Sequence, residues 1–332
     1  LSRTVGWFTS IFPVHLNIKN PDDLGDAIKT VKEELRQIPH KGIGYGILAY
    51  LASNSSLLAS SCPSLSFNYL GQWDNTLAQE GLFAFSQESA GQSISEKNEQ
   101  AHLLNINSEV RQGVLHLFWS YSSNHYKEQT IEKVAQSFIE RLRSLIDHCC
   151  QDNVFGYTPS DFALVSLLQS DLDLTFGSIP HIETIYPLSP TQSGLLFQAL
   201  YAPDSDAYFI QSVFELEGEV DVPALKQAWQ KMSDYYPILR TGFVWQTLES
   251  LQYVLESVEV PFMVENWEDV GKENQEEALQ SFIREDREKG FDLSKPPLFR
   301  LTLIQCATNH YYLIWSQHHI LMDGWSTPII LG

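Results

Sequence analysis

The feature that most constrains this chain lies near its end. His310 to Ser316 is an apolar run of Tyr, Leu, Ile and Trp, and it runs straight into Gln317-His318-His319-Ile320-Leu321-Met322-Asp323-Gly324-Trp325-Ser326. The run reads as a buried strand. Side chains alternate across a strand, so His318 and His319 must point to opposite faces. One can serve the sheet interior while the other faces a cleft. A neutral imidazole at a strand end can take a proton or hydrogen-bond a nucleophile near neutral pH. Asp323 and Gly324 fall in the turn that follows, where a carboxylate can lock the turn and a glycine allows close backbone approach. A His-His-x-x-x-Asp-Gly string on a strand and turn therefore marks a candidate active site. It does not read as a metal site, because adjacent strand histidines diverge and no further ligands are spaced to join them.

A length of 332 residues suggests two domains or two lobes, and a hydrophobic fraction of 43% is enough to give each a core. The formal net charge of −20, with no basic block, argues against nucleic acid or an anionic membrane surface as partner. No apolar run is long enough to span a bilayer, and no signal peptide opens the chain. Cys62, Cys149, Cys150 and Cys306 form no Cys-x-x-Cys pair, and adjacent Cys149-Cys150 is a poor disulfide or zinc framework. This composition reads as a reducing, cytoplasmic setting. The chain begins at Leu1 without Met and stops six residues after the motif, and so reads as cut from something longer.

In the first half, residues 1–16 suggest a strand pair or a bent strand broken by Gly6 and Pro13. Asn20 with Pro21 predicts a helix start, continued by Ala27, Val31 and Leu35 and ended by Pro39. Gly42, Gly44 and Gly46 lack the Gly-x-Gly-x-x-Gly spacing of a phosphate loop and read as a turn passing close to another element. Leu65 to Gln72 alternates as a strand. The acidic, Ser/Gln-rich stretch from Trp73 to Glu99 reads as a solvated excursion, with a short strand around Leu82 to Phe85. Leu115, Leu117, Trp119 and Tyr121 alternate as another half-buried strand. From Thr130 the period changes to three and four through Ile131, Val134, Ala135, Phe138, Leu142, Leu145 and Ile146, an amphipathic helix.

Residues 151–180 read as a structured linker. Thr158-Pro159 marks a turn, and Ser160 or Asp161 can cap a short helix carrying Leu164, Leu167 and Leu168. In the second half Ser189 caps a helix with Pro190 at its first position. A β run follows from Ala207 to Leu216. Asp221 caps the helix Val222 to Tyr235, with Leu225, Ala228, Trp229 and Met232 facing inward. Pro237 to Phe243 delivers Arg240-Thr241 into a strand. Val254 to Phe262 reads as a strand, and Gln275 to Glu288 as a helix burying Ala278, Leu279, Phe282 and Ile283, with Gly290 at its end. Phe299 to Gln305 is the expected hairpin partner of the motif strand.

Three stretches of the first half resemble, in order, C-terminal signatures of epimerization domains of nonribosomal peptide synthetases: Arg3-Thr4-Val5-Gly6-Trp7-Phe8-Thr9, Pro39-x-x-Gly42-x-Gly44-Tyr45-Gly46 and Phe67-Asn68-Tyr69-Leu70-Gly71-Gln72. The second half resembles the N-terminal lobe of a condensation domain of the same synthetases. Ser189-x-x-Gln192 is similar to the first condensation signature, Leu239-Arg240-Thr241-x-Phe243 to the end of the second, and His318-His319-x-x-x-Asp323-Gly324-Trp325-Ser326 to the third. The second signature commonly opens with Arg-His, where this chain has Tyr235-Tyr236, and Gln317 stands where Met is common.

The resemblance implies an α/β architecture of two chloramphenicol-acetyltransferase-like lobes, each a mixed β-sheet flanked by helices. Residues 1–150 would be the C-terminal lobe of an epimerization domain, 151–180 the linker, and 181–332 the N-terminal lobe of a condensation domain. Each half lacks its partner lobe, so the piece alone is expected to catalyse neither reaction. The implied chemistry is peptide-bond formation between thioesters held on the 4'-phosphopantetheine arms of carrier domains upstream and downstream, with adenylation domains adjacent. His319 is the expected catalytic residue and His318 a core residue. Asp323 and Gly324 are supporting, with Arg240 the expected ion-pair partner of Asp323 and Asp323→Ala expected to damage solubility or folding. Asn68 and Tyr69 would line the tunnel of the epimerization lobe. An epimerization lobe just upstream implies a donor ending in a D-residue. A stand-alone acyltransferase would need a second lobe after the motif, and a non-catalytic docking module is the other alternative.

Overall fold

A computed structural model describes residues 4–52, 63–72, 88, 91, 95, 98–202, 205–206, 208–246 and 249–332. The chain divides into two units, Leu1–Val154 and Phe155–Gly332. The expected strand at Leu82 to Phe85 lies outside the described residues.

In the first unit, helix α1 (Leu24–Arg36) is capped by Asp23, whose carboxylate accepts from the Asp26 N–H at 3.0 Å. The helix therefore starts later than the Asn20-Pro21 signal suggests, because Asp23 supplies the acceptor for an otherwise unpaired first-turn amide. No strand forms in residues 4–16, where no described strand offers a hydrogen-bonding partner. Gly42 is close to its neighbour as expected: its φ is +76°, and a Cβ there would run into the Phe12 ring. It is not only a turn, however, since Ile43–Gly46 continues as a helical turn.

Strands β1 (Leu65–Gln72), β2 (Leu104–Arg111) and β3 (Val114–Tyr121) form a sheet in that order, β1–β2 parallel and β2–β3 antiparallel. Helix α2 (Glu128–Cys149) buries Ile131 and sets Phe138 edge-on to Trp119 at 5.9 Å. Val134 and Ile146, expected on its apolar face, are exposed. The middle strand β2 is not anticipated from the sequence. Its signal is the alternation Leu104, Ile106, Ser108, Val110, in which a serine replaces one apolar residue. The following loop residues Gln112 and Gly113 both have positive φ, the backbone of a tight hairpin.

The second unit begins with the 155–180 segment, which is part of its core. Thr158 caps the short Pro159–Asp161 turn in a reciprocal capping box with Asp161. The expected helix through Leu164 and Leu168 forms later, as α3 (Gln169–Phe176), and both leucines are exposed. Leu172 and Phe176 are buried instead, together with Phe162, Ile182, Ile185 and Tyr253. The Tyr157 hydroxyl donates to the Ile179 carbonyl at 2.9 Å and accepts from the Ile182 N–H at 2.8 Å, clipping the segment to strand β4 (Ile182–Pro187).

Helix α4 (Pro190–Tyr201) starts at Ser189, followed by β5 (Phe209–Glu217), α5 (Val222–Tyr235), β6 (Thr241–Val244) and β7 (Leu251–Leu255). Then come β8 (Phe262–Asn266), α6 (Lys272–Glu288), β9 (Phe299–Ala307) and β10 (His310–His318). The single strand expected from Val254 to Phe262 is broken: Val254 and Leu255 end β7, Phe262 opens β8, and residues 256–261 between them lie in no strand. One sheet runs β4–β7–β6 and the other β5–β10–β9–β8. In the larger sheet β10 pairs antiparallel with both β5 and β9, which makes it central.

Central placement explains its composition, since both faces of β10 are covered. Trp315 is 1% exposed and meets Trp229 of α5 edge-on at 5.2 Å. On the opposite face Ile314 packs in a cluster with Leu279, Phe282 and Ile283 of α6. Each fully buried side chain of this size contributes about 1.5–3 kcal/mol. Ala228, expected inward, is exposed, and the α5 stripe runs through Leu225, Trp229 and Met232. Among the described residues no helix is long and apolar enough to cross a membrane.

Candidate functional site

The site is the end of β10 and the turn after it. The His318 N–H donates to the Leu298 carbonyl at 3.0 Å and the His319 N–H to the Tyr208 carbonyl at 2.8 Å, so the backbone is held on both sides past the last strand residue. His318 is 9% exposed and its Nδ1 accepts the Ile320 N–H at 3.1 Å. Accepting at Nδ1 requires the neutral ring to carry its proton on Nε2. Burial, and secondarily the electrostatic effect of the adjacent His319 imidazole, pushes the His318 pKa down to about 4. His318 is thus a neutral interior residue.

His319 is half-buried, with Nδ1 2.9 Å from the Met322 carbonyl oxygen. A carbonyl only accepts, so Nδ1 carries the proton and Nε2 of the neutral ring is left as a lone pair. The turn that supplies this carbonyl is closed by Asp323. Its Oδ1 accepts from the Trp325 N–H at 3.1 Å and from the Ser326 hydroxyl at 3.2 Å, and the Ser326 N–H returns to the Asp323 carbonyl at 3.2 Å. The next residues, Thr327–Leu331, form one short helical turn.

Arg240 is not the partner of Asp323. Its guanidinium, 4% exposed, donates to Glu183 Oε2 at 2.7 Å and to the carbonyls of Ser233 at 2.9 Å, Glu256 at 3.2 Å, Asp234 at 3.3 Å and Leu255. Asp323 is exposed and spends its carboxylate on its own turn. The physical reason is local: Arg240 closes the short Pro237–Arg240 turn, where oxygen acceptors from α5, β4 and the β7 end already converge. Gly324 has open space where a Cβ would stand, so close approach does not explain it.

In the first unit Asn68 and Tyr69 are neighbours on β1 and cannot line one surface together. Asn68 donates to Asn107 Oδ1 at 3.2 Å on the polar face of the sheet. Tyr69 is 52% exposed on the face shared with Phe67.

Sequence reasoning missed one buried polar cluster beside the motif strand. Asp286 of α6, 3% exposed, accepts from the Ser316 hydroxyl at 2.6 Å, Gln211 Nε2 at 2.9 Å and Arg300 Nε at 2.6 Å. Arg300 also donates to the Gly290 carbonyl at 2.8 Å, and its guanidinium lies 4.4 Å from the Phe291 ring centre. The available signal was an Asp at a position facing the sheet in an otherwise amphipathic helix.

These features place an imidazole lone pair at the end of a central strand. A family model described as the condensation domain matches residues 1–161 and 182–332, and the chain belongs to that family. Among curated proteins it is similar to a linear gramicidin synthase of Brevibacillus parabrevis, 41% identical over all of this chain and 4% of that protein. Bacitracin synthase 1 of Bacillus licheniformis is 36% identical over all of this chain and 6% of that protein. The chain therefore spans a small part of the length of the curated relatives it matches. Among solved structures, the starter condensation domain of rhizomide synthetase is 26% identical over 45% of this chain and 37% of that one, with a TM-score of 0.40.

Proposed function

We propose that this chain works as part of a nonribosomal peptide synthetase, with its second half, residues 181–332, carrying the His319 side of a peptide-bond-forming site. The observation that carries the reading is the Met322 carbonyl on His319 Nδ1, which fixes Nε2 as the basic atom of the strand-end imidazole. Substrates would arrive as thioesters on the phosphopantetheine arms of partner carrier domains, loaded by neighbouring adenylation domains. The acceptor amine attacks the donor carbonyl carbon, the C–N bond forms, and the C–S bond breaks. The amine's proton passes to His319 Nε2 and on to the departing sulfur, which leaves as a thiol. Orientation of the amine by the same nitrogen lowers the entropic part of the barrier.

The first half, residues 1–150, is proposed as the C-terminal lobe of an epimerization domain, joined through 151–180. Support comes from the three signatures in family order. That order favours donors ending in a D-residue.

The test uses the whole synthetase that carries this chain. His319→Ala should abolish peptide formation while the thermal transition and far-ultraviolet spectrum stay as in the parent, and peptide formation at the parent rate rejects the assignment. Supplying D- and L-terminated donor thioesters tests the stereochemical part, and equal use of both rejects it.

A further inference from the structure

Gln211, Ser316 and Arg300 occupy one rung across three strands: Ser316 of β10 is in register with Gln211 of β5 and with Arg300 of β9. All three side chains reach the same carboxylate, Asp286 of α6. A one-residue slip of any of these strands would turn its side chain to the opposite face and away from Asp286. The rung lies three residues before His319. His318, two residues beyond Ser316 on the same strand, is in register with Phe209, and the Arg300 guanidinium sits 5.3 Å from that ring's centre.

We propose that Asp286 is a positioning residue for His319: by gathering the Gln211–Ser316–Arg300 rung it sets the register and the end point of β10, and with them which histidine goes inside and which receives the Met322 carbonyl. This rests on the reading of His319 as the reacting base. The charge-assisted bonds involved are short and directional, which suits them to choosing a register as well as adding stability.

Two variants and two readouts test it. Asp286→Asn removes the charge and keeps the shape, and Ser316→Ala removes one bond with little change in volume. In the chain labelled with nitrogen-15 histidine, both should shift the His319 ring nitrogens from the Nδ1–H pattern toward a tautomeric average. In the synthetase both should lower kcat for peptide formation about tenfold or more with KM unchanged. If Asp286→Asn does not fold, Ser316→Ala decides. A purely structural role would lower the melting temperature while leaving the His319 nitrogen shifts and kcat of the folded protein intact, and that result overturns the proposal. Failure of the functional reading is separable: it would show as full activity in His319→Ala, and the nitrogen shifts would still report whether Asp286 positions the ring.

Discussion

His318 and His319 are adjacent in the chain yet use Nδ1 in opposite senses: His318 Nδ1 accepts from the Ile320 N–H, and His319 Nδ1 donates to the Met322 carbonyl. The two partners lie within four residues, so one short turn assigns both tautomers. The doubled histidine is therefore two different groups, one neutral and interior, the other presenting a basic nitrogen.

The first consequence is a pH dependence of stability. His318 titrates at about 4 when folded, against about 6.5 for an ordinary histidine. Between these values the unfolded chain binds the proton more readily, so stability falls as the pH is lowered through that window. His318 should contribute its full share above about pH 6.5 and lose roughly 3 kcal/mol by about pH 4. His318→Asn keeps an acceptor for the Ile320 N–H without a titrating ring. Urea unfolding at pH 7.5, 6, 5 and 4 should show a shallower fall for this variant, and parallel curves would refute the assignment.

The Arg240 cluster predicts unequal costs. Arg240→Ala strands several buried carbonyls and should cost about 3 kcal/mol. Asp323→Ala loses only two exposed turn bonds and should cost about 1 kcal/mol. A double-mutant cycle between positions 240 and 323 should give coupling within about 0.5 kcal/mol of zero. A coupling well above that would restore the direct pair.

Gly242 offers a packing test. A Cβ there would stand 2.7 Å from both Pro296 Cδ and Tyr253 Cζ. Tyr253 is held in place because its hydroxyl donates to the Ser294 carbonyl at 2.6 Å. Gly242→Ala should cost about 1–3 kcal/mol in chemical denaturation, the usual range for overpacking. A neutral result would mean that the Tyr253 ring moves aside.

What the sequence made legible follows from range. Caps at Ser189 and Asp221, the α6 period, the α5 period except at Ala228, and the β9–β10 hairpin depend on residues a few positions apart, and these readings agree with the structure. That His318 and His319 face opposite ways is likewise readable, since strand alternation requires it. Opposite charge in two signatures suggests Asp323 as the partner of Arg240. Its actual acceptors are mostly main-chain carbonyls, which no sequence pattern displays. The Asp286 cluster joins residues up to 105 positions apart, as in Gln211 to Ser316, and only strand register brings them together. At Leu164 and Leu168 an apolar cluster suggested a helix, and the buried positions lay one turn further on.

Ser189-x-x-Gln192 is one of the sequence features that pointed to the family, and the structure gives it a plain structural meaning. Gln192 Oε1 accepts from the Ser189 N–H at 2.9 Å, closing the cap of α4. Its amide also faces the Gln252 amide of β7 at 3.0 Å in both directions, a reciprocal pair between helix and strand. A glutamate could complete the cap, but it has no proton to return to Gln252 Oε1. The choice between two side chains of nearly equal shape is thus made by a neighbour 60 positions away, and Gln192→Glu should loosen the helix from the sheet while leaving the helix itself intact.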